Sequence, residues 1–444
     1  MVPSISISNF KSYRRATLRL SRVTFLIGAN GAGKSNALDA LRFLNWMGRG
    51  ERLDDIDTRL GSGPGQIRGT PSDLFNTGQA EFDFDLTIDS GKTYSFHQAI
   101  SRCCRGDVRS GEQFLAVRGE SLKAPHEKVP LYCLKDRRVD EYVESVDVEY
   151  NNFAQGGNKP RIVCSNRQAV FYQLMSESRF ETAKSRKLIP ALARMLKAAF
   201  GQMLFLDADL SKMRGYARKV KGRMLEKDAS NISSVIYNIC QDPELKRRLL
   251  DMIRSLPELN IKDVSFVETE IGDVMLQLVE GNSEGKPTPI TLLSDGTLRL
   301  LAIAAGLLSA PAGSLVVIEE LDNGIHPSRV RHIVEQLYEI ARAQDVQLLV
   351  TTHNPALMSA IPIPFVGDVL CCYRNPQDGG SEVLKLSQSP RFVELLNKGK
   401  LGDLATSDTL DAIIKDKLSG KQLIEEKLGQ LDMFDEMFEK ETHE

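Results

Sequence analysis

The most constraining feature of the sequence is the octapeptide Gly28–Ser35, GANGAGKS, which fits the pattern GxxxxGK[ST]. Its glycines let successive backbone N–H groups turn inward around phosphate oxygens, and a following helix points its positive end at them. The apolar run Val23–Ile27 before it is typical of a strand buried on both faces. Leu38, Leu41 and Leu44 after it lie on one face of a helical pattern that stops near two glycines. A strand, a glycine turn and a helix in this order favour an α/β fold.

This loop predicts a nucleotide site that uses ATP and Mg²⁺. Lys34 would reach the β- and γ-phosphates, and the Ser35 hydroxyl would bind the magnesium ion. The residues expected to hold the nucleotide are Gly28, Ala29, Asn30, Gly31, Ala32, Gly33, Lys34, Ser35 and Asn36.

Two later apolar runs also end in groups suited to phosphate chemistry. Ser314–Ile318 is followed by Glu319 and Glu320: one carboxylate would hold magnesium, and the other would orient or deprotonate the attacking water. Val346–Thr351 is followed by His353, whose imidazole could donate to the γ-phosphate, although a histidine at a strand end also serves structure. Because ligands bind at the C-terminal ends of parallel strands, we expect all three segments to converge on one nucleotide.

The remaining patterns predict the organisation of the chain. Residues 48–80 are irregular, residues 82–133 alternate like antiparallel strands, and residues 171–256 are largely helical. Strand patterns return at 263–278, followed by an apolar helix at 298–308 and a helix at 327–343. We therefore expect an N-terminal ATPase lobe at 1–170, a helical arm or lid at 171–260, a C-terminal lobe at 261–415 and an acidic amphipathic tail at 416–444.

Length and composition exclude several classes of protein. With 444 residues, of which 42% are apolar and 26% charged, the chain has the composition of a globular protein of two or three domains. Its net charge of −2 means that any nucleic-acid surface must be local. The sequence has no secretory signal and no apolar run near ~20 residues, which predicts a cytoplasmic protein without membrane contact. Seven cysteines without CxxC spacing indicate reduced thiols, with little support for zinc.

Several segments, in order, resemble ATP-binding-cassette ATPases of the RecF/SMC class. The opening SISNFKSYRRATLRLSRVTFLIGANGAGKSN and the helix LLSDGTLRLLAIAAGLL are similar to that class. IEELDNGIHP and DASNISSVIYNI are similar to its OLD-like (overcoming-lysogenisation-defect) subgroup, and TTHNPALM is similar to the H-loop. The resemblance implies a P-loop NTPase of the ABC/SMC-head type: an α/β fold with a mixed sheet, an antiparallel β subdomain and a helical insertion.

The resemblance also implies roles for individual residues. Glu320 matches the catalytic glutamate and His353 the switch histidine, while Glu319 is a metal ligand where many relatives have Asp. Leu321 replaces the usual proline, and Gln66 is a candidate for the Q-loop glutamine as well as an ordinary surface residue. Ser294, Asp295 and Gly296 match the signature that contacts ATP on a partner subunit, and Asp322 and Asn323 match the D-loop; without the resemblance, Ser294 and Asp295 are simply a helix cap.

The resemblance therefore predicts an ATP-sandwiched homodimer or higher homo-oligomer. A basic stretch could contact DNA phosphates, with Tyr216 available for stacking, or could be a solvated helix face. Its charged residues are Lys212, Arg214, Arg218, Lys219, Lys221 and Arg223.

The output of the ATPase is open at this point. The stretch after His353 looks too short for the TOPRIM nuclease of many OLD-like relatives, so we expect no nuclease activity in this chain and a separate nuclease effector. By analogy with PtuA-like anti-phage ATPases, an HNH-type nuclease is favoured. The alternatives are an assembly scaffold whose tail docks a partner helix or packs on its own domain, or a DNA-repair ATPase. A transporter ATPase fits the opening and the signature less well.

Overall fold

The computed structural model describes residues 1–61, 66–105, 112–134, 144–222, 224–254, 260–281, 287–321, 327–406 and 410. The strands in chain order are β1 (Ser4–Phe10), β2 (Tyr13–Arg19), β3 (Val23–Ile27), β4 (Glu81–Asp89), β5 (Thr93–Arg105), β6 (Glu112–Lys123), β7 (Tyr132–Leu134), β8 (Ser145–Tyr150), β9 (Arg161–Ser165), β10 (Leu204–Leu206), β11 (Ala217–Arg218), β12 (Ile261–Glu268), β13 (Asp273–Glu280), β14 (Thr288–Pro289), β15 (Leu315–Ile318), β16 (Gln347–Thr351), β17 (Leu370–Arg374) and β18 (Ser381–Lys385). The helices are α1 (Lys34–Gly48), α2 (Val170–Gln173), α3 (Ala183–Gly201), α4 (Leu210–Met213), α5 (Ile232–Ile239), α6 (Pro243–Ile253), α7 (Asp295–Ser309), α8 (Pro327–Ala343), α9 (Pro355–Ala360), α10 (Ile363–Val366), α11 (Phe392–Lys398) and α12 (Leu401–Thr406).

A mostly parallel sheet in the order β10-β15-β16-β3-β17-β18 lies at the centre. Its strands run parallel except β18, which pairs antiparallel with β17. The register places Ile318 beside Val350 and Thr351 beside Leu26. The C-terminal ends of β15, β16 and β3 therefore lie side by side at one edge, as ligand binding in such sheets requires.

The two faces of this sheet bury different apolar cores, which explains why β3 is buried throughout. Val23, Phe25 and Ile27 pack on one side with apolar residues of α5 to α9. Leu26 packs on the other side with α1, α3 and the apolar face of a second sheet. That second sheet is antiparallel, in the order β2-β1-β4-β5-β6-β7-β8-β9. A smaller sheet joins β11, β13, β12 and β14 near the first core.

The fold class predicted from the sequence is confirmed: an α/β fold with a P-loop, a mixed sheet, an antiparallel subdomain and a largely helical segment. The helix over 327–343 and the three buried strands before the candidate site lie where the patterns put them. The segment 171–260 contains α2 to α6, but it also supplies β10 to the central sheet and β11 to the small one. The division into lobes and arm stays a prediction, and the tail at 416–444 lies outside the described residues.

Searching the described residues for a helix both long and apolar enough to cross a membrane finds none.

Candidate nucleotide-binding site

The loop between β3 and α1 has a conformation that depends on two glycines. Gly28 has φ +147° and Gly33 has φ +117°, both in the region that side chains rarely adopt. A Cβ on Gly28 would lie 2.3 Å from the carbonyl oxygen of Cys372, and one on Gly33 would lie 2.5 Å from Ser381 Oγ. The strands β17 and β18 therefore press against the loop and leave room for glycine alone.

Lys34 folds back over the loop that it follows. Its Nζ donates to the carbonyl oxygens of Gly28 at 2.5 Å and Ala29 at 3.1 Å. Partial burial lowers the pKa of Lys34, and the nearby Cys372 and Glu320 oppose this shift. Behind the loop, the buried Tyr13 hydroxyl donates to Gly33 O at 3.0 Å. The cation is thus held at the mouth of the loop, where phosphate oxygens could replace its carbonyl partners.

A pocket of about 260 Å³ lies over the loop at the C-terminal edge of the sheet. It brings together residues of the three segments that were expected to converge, although Gly28 and Ala32 of the predicted nucleotide residues do not line it. Its lining residues are Ala29, Asn30, Gly31, Gly33, Lys34, Ser35, Asn36, Leu38, Arg68, Glu319, Glu320, Thr351, Thr352, His353 and Arg374. The predicted convergence is therefore present in the structure, while the roles assigned to these residues stay predictions.

Glu320 has an unusual backbone for a non-glycine residue, with φ +48°. Its N–H donates to the Thr351 hydroxyl of the neighbouring strand at 3.2 Å, which helps to hold this conformation. His353 Nδ1 lies 4.0 Å from Glu320 Oε1, and both side chains are about half exposed. A carboxylate and an imidazole open to solvent at a phosphate loop are suited to move a proton from water during phosphoryl transfer. Strained backbone of this kind concentrates at functional sites.

The oxygen atoms that line the pocket are of the kind that binds a magnesium ion. The Ser35 hydroxyl and the Glu319 carboxylate both line it, and Mg²⁺ prefers such hard oxygen ligands. In the structure, Glu319 forms an ion pair with Arg42 of α1. Arg42 also contacts the fully buried Asp39 at 3.1 Å, so the acid at the end of β15 is tied to α1 through a guanidinium.

Sequence reasoning missed three arginines around this pocket: Arg42, Arg68 and Arg374. Arg68 contacts Asp39 Oδ2 at 2.9 Å, and Arg374 Nε donates to Gly31 O at 2.9 Å. Arg68 and Arg374 come from segments without a motif, whereas Arg42 lies on α1, the helix that follows the loop. The contacts of all three depend on the folded chain. Arg68 and Asn36 also line an adjoining open cleft of about 620 Å³, which extends the pocket along the surface.

The signature residues lie elsewhere. Ser294 is the N-cap of α7, where its Oγ accepts from Thr297 N at 3.3 Å. Neither it nor Asp295 nor Gly296 belongs to the described residues that line the pocket, so the chain does not bring its own signature to its own loop. Gln66 does not line the pocket either. The D-loop residues Asp322 and Asn323 lie outside the described residues.

The basic stretch is not one helix face. Lys212 lies in α4 and pairs with Asp228 at 2.9 Å, and Lys219 follows β11 and pairs with Glu268 at 2.5 Å. Arg214 contacts the signature loop, whereas Arg218 and Lys221 are exposed. Arg223 lies outside the described residues. Contact of this stretch with DNA stays a prediction.

The described cysteines, Cys103, Cys133, Cys164, Cys240, Cys371 and Cys372, are free thiols, as the spacing predicted.

Comparison with known proteins places this site in a family. The chain matches the family described as "AAA domain, putative AbiEii toxin, Type IV TA system" over residues 23–105 and 162–359. These ranges include the phosphate loop, the signature residues, Glu319, Glu320 and His353.

Individual relatives are more distant or match shorter segments. The chain is 44% identical over 69 residues to "DNA replication and repair protein RecF" of Caulobacter sp. (strain K31), covering 15% of this chain and 17% of that protein. It is 26% identical over 147 residues to "Probable ribonucleotide transport ATP-binding protein mkl" of Mycobacterium leprae, covering 32% of this chain and 41% of that one. It is 19% identical over 363 residues to "ATP/GTP phosphatase" of Helicobacter pylori, covering 80% and 85%. The matches thus span less than half of the RecF and mkl proteins.

Among solved structures, the chain is similar to an SMC head bound to the C-winged helix domain of ScpA, with a TM-score of 0.48, 14% identity and coverage of 86% of this chain and 96% of that one. It is also similar to the SMC head domain from Thermotoga maritima, with a TM-score of 0.41, 13% identity and coverage of 86% and 98%.

Proposed function

The chain belongs to the family of AAA domains that it matches over more than half of its length, and we propose that it is a magnesium-dependent ATPase that works as a pair. In the pair, the signature loop of one copy (residues 291–295) covers the ATP that is bound to the phosphate loop of the other copy. One observation carries this proposal. Lys34, Glu320 and His353 line one pocket, whereas Ser294, at the N-terminus of α7, does not line it. A second copy would supply the missing helix start.

The residues of the pocket divide the work of hydrolysis. Backbone N–H groups of the loop and the Lys34 ammonium bind the β- and γ-phosphates, so Lys34 exchanges two carbonyl partners for charged oxygens. Glu320 orients the attacking water and accepts its proton, and His353 donates to the γ-phosphate. Ser35 and Glu319 would hold the magnesium ion, which supplies charge neutralisation at the phosphates. Arg68 and Arg374, which line the pocket, add positive charge.

Replacing Glu320 tests both halves of the proposal. Glu320→Gln keeps the shape and removes the base, so ATP turnover should fall by about 100-fold or more while ATP stays bound. Sedimentation velocity of this variant should show a dimer with ATP and Mg²⁺ and a monomer with ADP. A monomer that persists with ATP bound would reject the sandwich. The turnover of GTP should be measured beside that of ATP, because the H. pylori relative is named an ATP/GTP phosphatase.

We further propose that the ATPase state controls contact with DNA. Tyr216 is 49% exposed, and Arg218 and Lys221 later in the same stretch are also exposed, so an aromatic ring and two cations are available to a nucleic acid. The relative RecF is named a DNA replication and repair protein. Reversing the charges of Arg218 and Lys221 should weaken binding to single-stranded DNA and flatten its salt dependence. Arg161→Glu, an exposed arginine on β9 of the antiparallel sheet, is the control. Unchanged DNA binding would remove this surface from the proposal.

We propose that the effector of the ATPase is a separate nuclease, of HNH type by analogy with PtuA-like ATPases. The ATPase and this nuclease would act together in anti-phage defence. The family description includes "putative AbiEii toxin, Type IV TA system", and the toxin of such a system is encoded together with a second gene product. Co-expression with the products of neighbouring genes, followed by purification with and without ATP, tests this. Capture of a non-nuclease partner would favour the alternative of an assembly scaffold, and activity on damaged DNA alone would favour a repair ATPase.

A further inference from the structure

Arg214 makes an unusual set of contacts for a residue in an exposed basic stretch. Its Nη1 donates to the carbonyl oxygens of Thr291 at 2.7 Å and Leu293 at 3.0 Å. Its Nη2 donates to Asp295 Oδ1 at 2.8 Å. One guanidinium thus binds the loop before α7 and the first residue of α7 at the same time.

Both ends of this contact are anchored. Met213, directly before Arg214, is fully buried in the core beside α7, and Leu293 is buried in the same core. The residues on either side of Leu293 are exposed, namely Thr291, Leu292, Ser294 and Asp295. The arginine therefore fixes an exposed loop that the apolar core holds only at Leu293. A planar guanidinium that binds two carbonyls and a carboxylate fixes geometry better than an ammonium could.

The contact also changes the charge beside Ser294. Asp295 carries a carboxylate that is 69% exposed, directly after the N-cap. A triphosphate that approached this helix start would meet that negative charge, and Arg214 offsets it. The same arginine therefore sets both the shape and the charge of the loop.

We propose that Arg214 is a positioning residue that holds the signature loop, residues 291–295, in the conformation that receives the nucleotide of a second copy of this chain. The inference rests on the proposed function, because it assumes that the signature acts across a dimer. It gives Arg214 a role other than phosphate contact on DNA, since the two Nη atoms are directed at the loop. It also couples the segment that contains α4 to the assembly of the ATP site.

The test uses the full chain in the Glu320→Gln background. Arg214→Met should weaken ATP-dependent dimerisation by about tenfold or more, because it removes two hydrogen bonds and an ion pair from the loop. Binding of a fluorescent ATP analogue to the dilute monomer should stay within about twofold, since Arg214 does not line the pocket. Arg214→Lys keeps the charge but loses the fork, and its dimer should be intermediate. If Arg214 only stabilised the fold, Arg214→Met would weaken dimerisation and ATP binding together.

The matched control is Arg247→Met in α6, which removes an arginine with ion pairs to Glu244 and Asp251 on its own helix. It should dimerise like the parent. If the parent fails to dimerise with ATP, the sandwich itself is rejected and the inference with it. If the parent dimerises and Arg214→Met does so equally, only the inference is overturned. If Arg214→Met does not fold, Arg214→Lys decides: a dimer as tight as that of the parent rejects the inference.

Discussion

At the scale of single residues, the backbone of Glu320 links the local structure to the chemistry. A φ of +48° is costly for glutamate, by about 1 kcal/mol or more, and persists only where neighbours enforce it. The hydrogen bond from Glu320 N to Thr351 Oγ1 is such a restraint. The hydroxyl of the adjacent strand therefore holds the backbone that carries the side chain proposed to activate water.

Thr351→Val should accordingly lower kcat by about tenfold with little change in KM, because valine keeps the shape and loses the acceptor. The free energy of unfolding should fall by only about 1 kcal/mol. Thr24→Val is the control, since Thr24 is a buried threonine of β3 whose hydroxyl accepts from Ser21 N away from the pocket. Steady-state kinetics of both variants make the measurement. Equal kcat values for the two variants would show that the Thr351 hydroxyl does not contribute to catalysis.

A second residue, Glu120, predicts how stability depends on pH. It is a buried residue of β6 in the antiparallel sheet, where its carboxylate accepts from Tyr132 Oη, Gln98 Nε2 and the N–H groups of Val170 and Phe171. Burial raises the pKa of Glu120 from 4.5 to about 7, against the effect of these donors. The folded state thus binds the proton more tightly than the unfolded state does.

The stabilisation by the Glu120 proton is fully present below about pH 4.5 and is lost as the pH rises through about 7. Across that window the wild type should lose on the order of 3 kcal/mol relative to Glu120→Gln, which cannot titrate. Urea unfolding at several pH values checks this. Parallel pH profiles for the two proteins would show that Glu120 does not titrate in this window.

At the scale of elements, Asp39 joins parts of the chain that are far apart in sequence. This fully buried carboxylate in α1 contacts Lys11 of the β1–β2 turn at 2.6 Å, Arg42 at 3.1 Å and Arg68 at 2.9 Å. Through Arg42 it reaches Glu319 at the end of β15. One buried carboxylate therefore aligns the helix after the phosphate loop with the strand that ends at Glu319.

Asp39→Asn should reduce the free energy of unfolding by about 3 kcal/mol or more, because it removes the buried counter-charge of the nearly buried Lys11 and leaves Arg42 with Glu319 alone. Asp345→Asn is the control: its ion pair with Arg22 is exposed and should contribute less than about 1 kcal/mol. Urea denaturation of both variants gives the comparison. A loss for Asp39→Asn no larger than the control loss would mean that the hub is not needed for stability.

The elements that the sequence predicted are those with a strong local pattern. The glycine loop, the buried strands β3, β15 and β16 and the amphipathic helix α8 all carry their own signal. β10 and β17 do not: each is a short apolar run whose place in the sheet depends on partners such as Val316 and Leu26, far away in sequence. Arg68 and Arg374 were missed for the same reason, because only tertiary contacts place these arginines near the pocket. Arg42 follows the loop on α1, but its pair with Glu319 also depends on the fold.

At the scale of the whole molecule, the two halves of the proposed ATP site lie on one chain but not together. The phosphate loop lies at the edge of the central sheet, and the signature loop begins a helix on one face of that sheet. Beside Ser294, Leu292 is 74% exposed, an uncommon position for a leucine in a loop that Arg214 fixes on both sides. If two copies face each other across ATP, this side chain becomes buried in the dimer.

Leu292→Asp should therefore weaken the ATP-dependent dimer by about tenfold or more, because it replaces an apolar contact by a charge near the triphosphate. The monomer should melt at nearly the same temperature, since the leucine is exposed there. Ile271→Asp is the matched control, an isoleucine that is 83% exposed in the turn between β12 and β13. Sedimentation velocity in the Glu320→Gln background, with ATP and with ADP, separates the cases. A dimer unchanged by Leu292→Asp would place the interface elsewhere on the molecule, whereas loss in both variants would point to general charge repulsion between the copies.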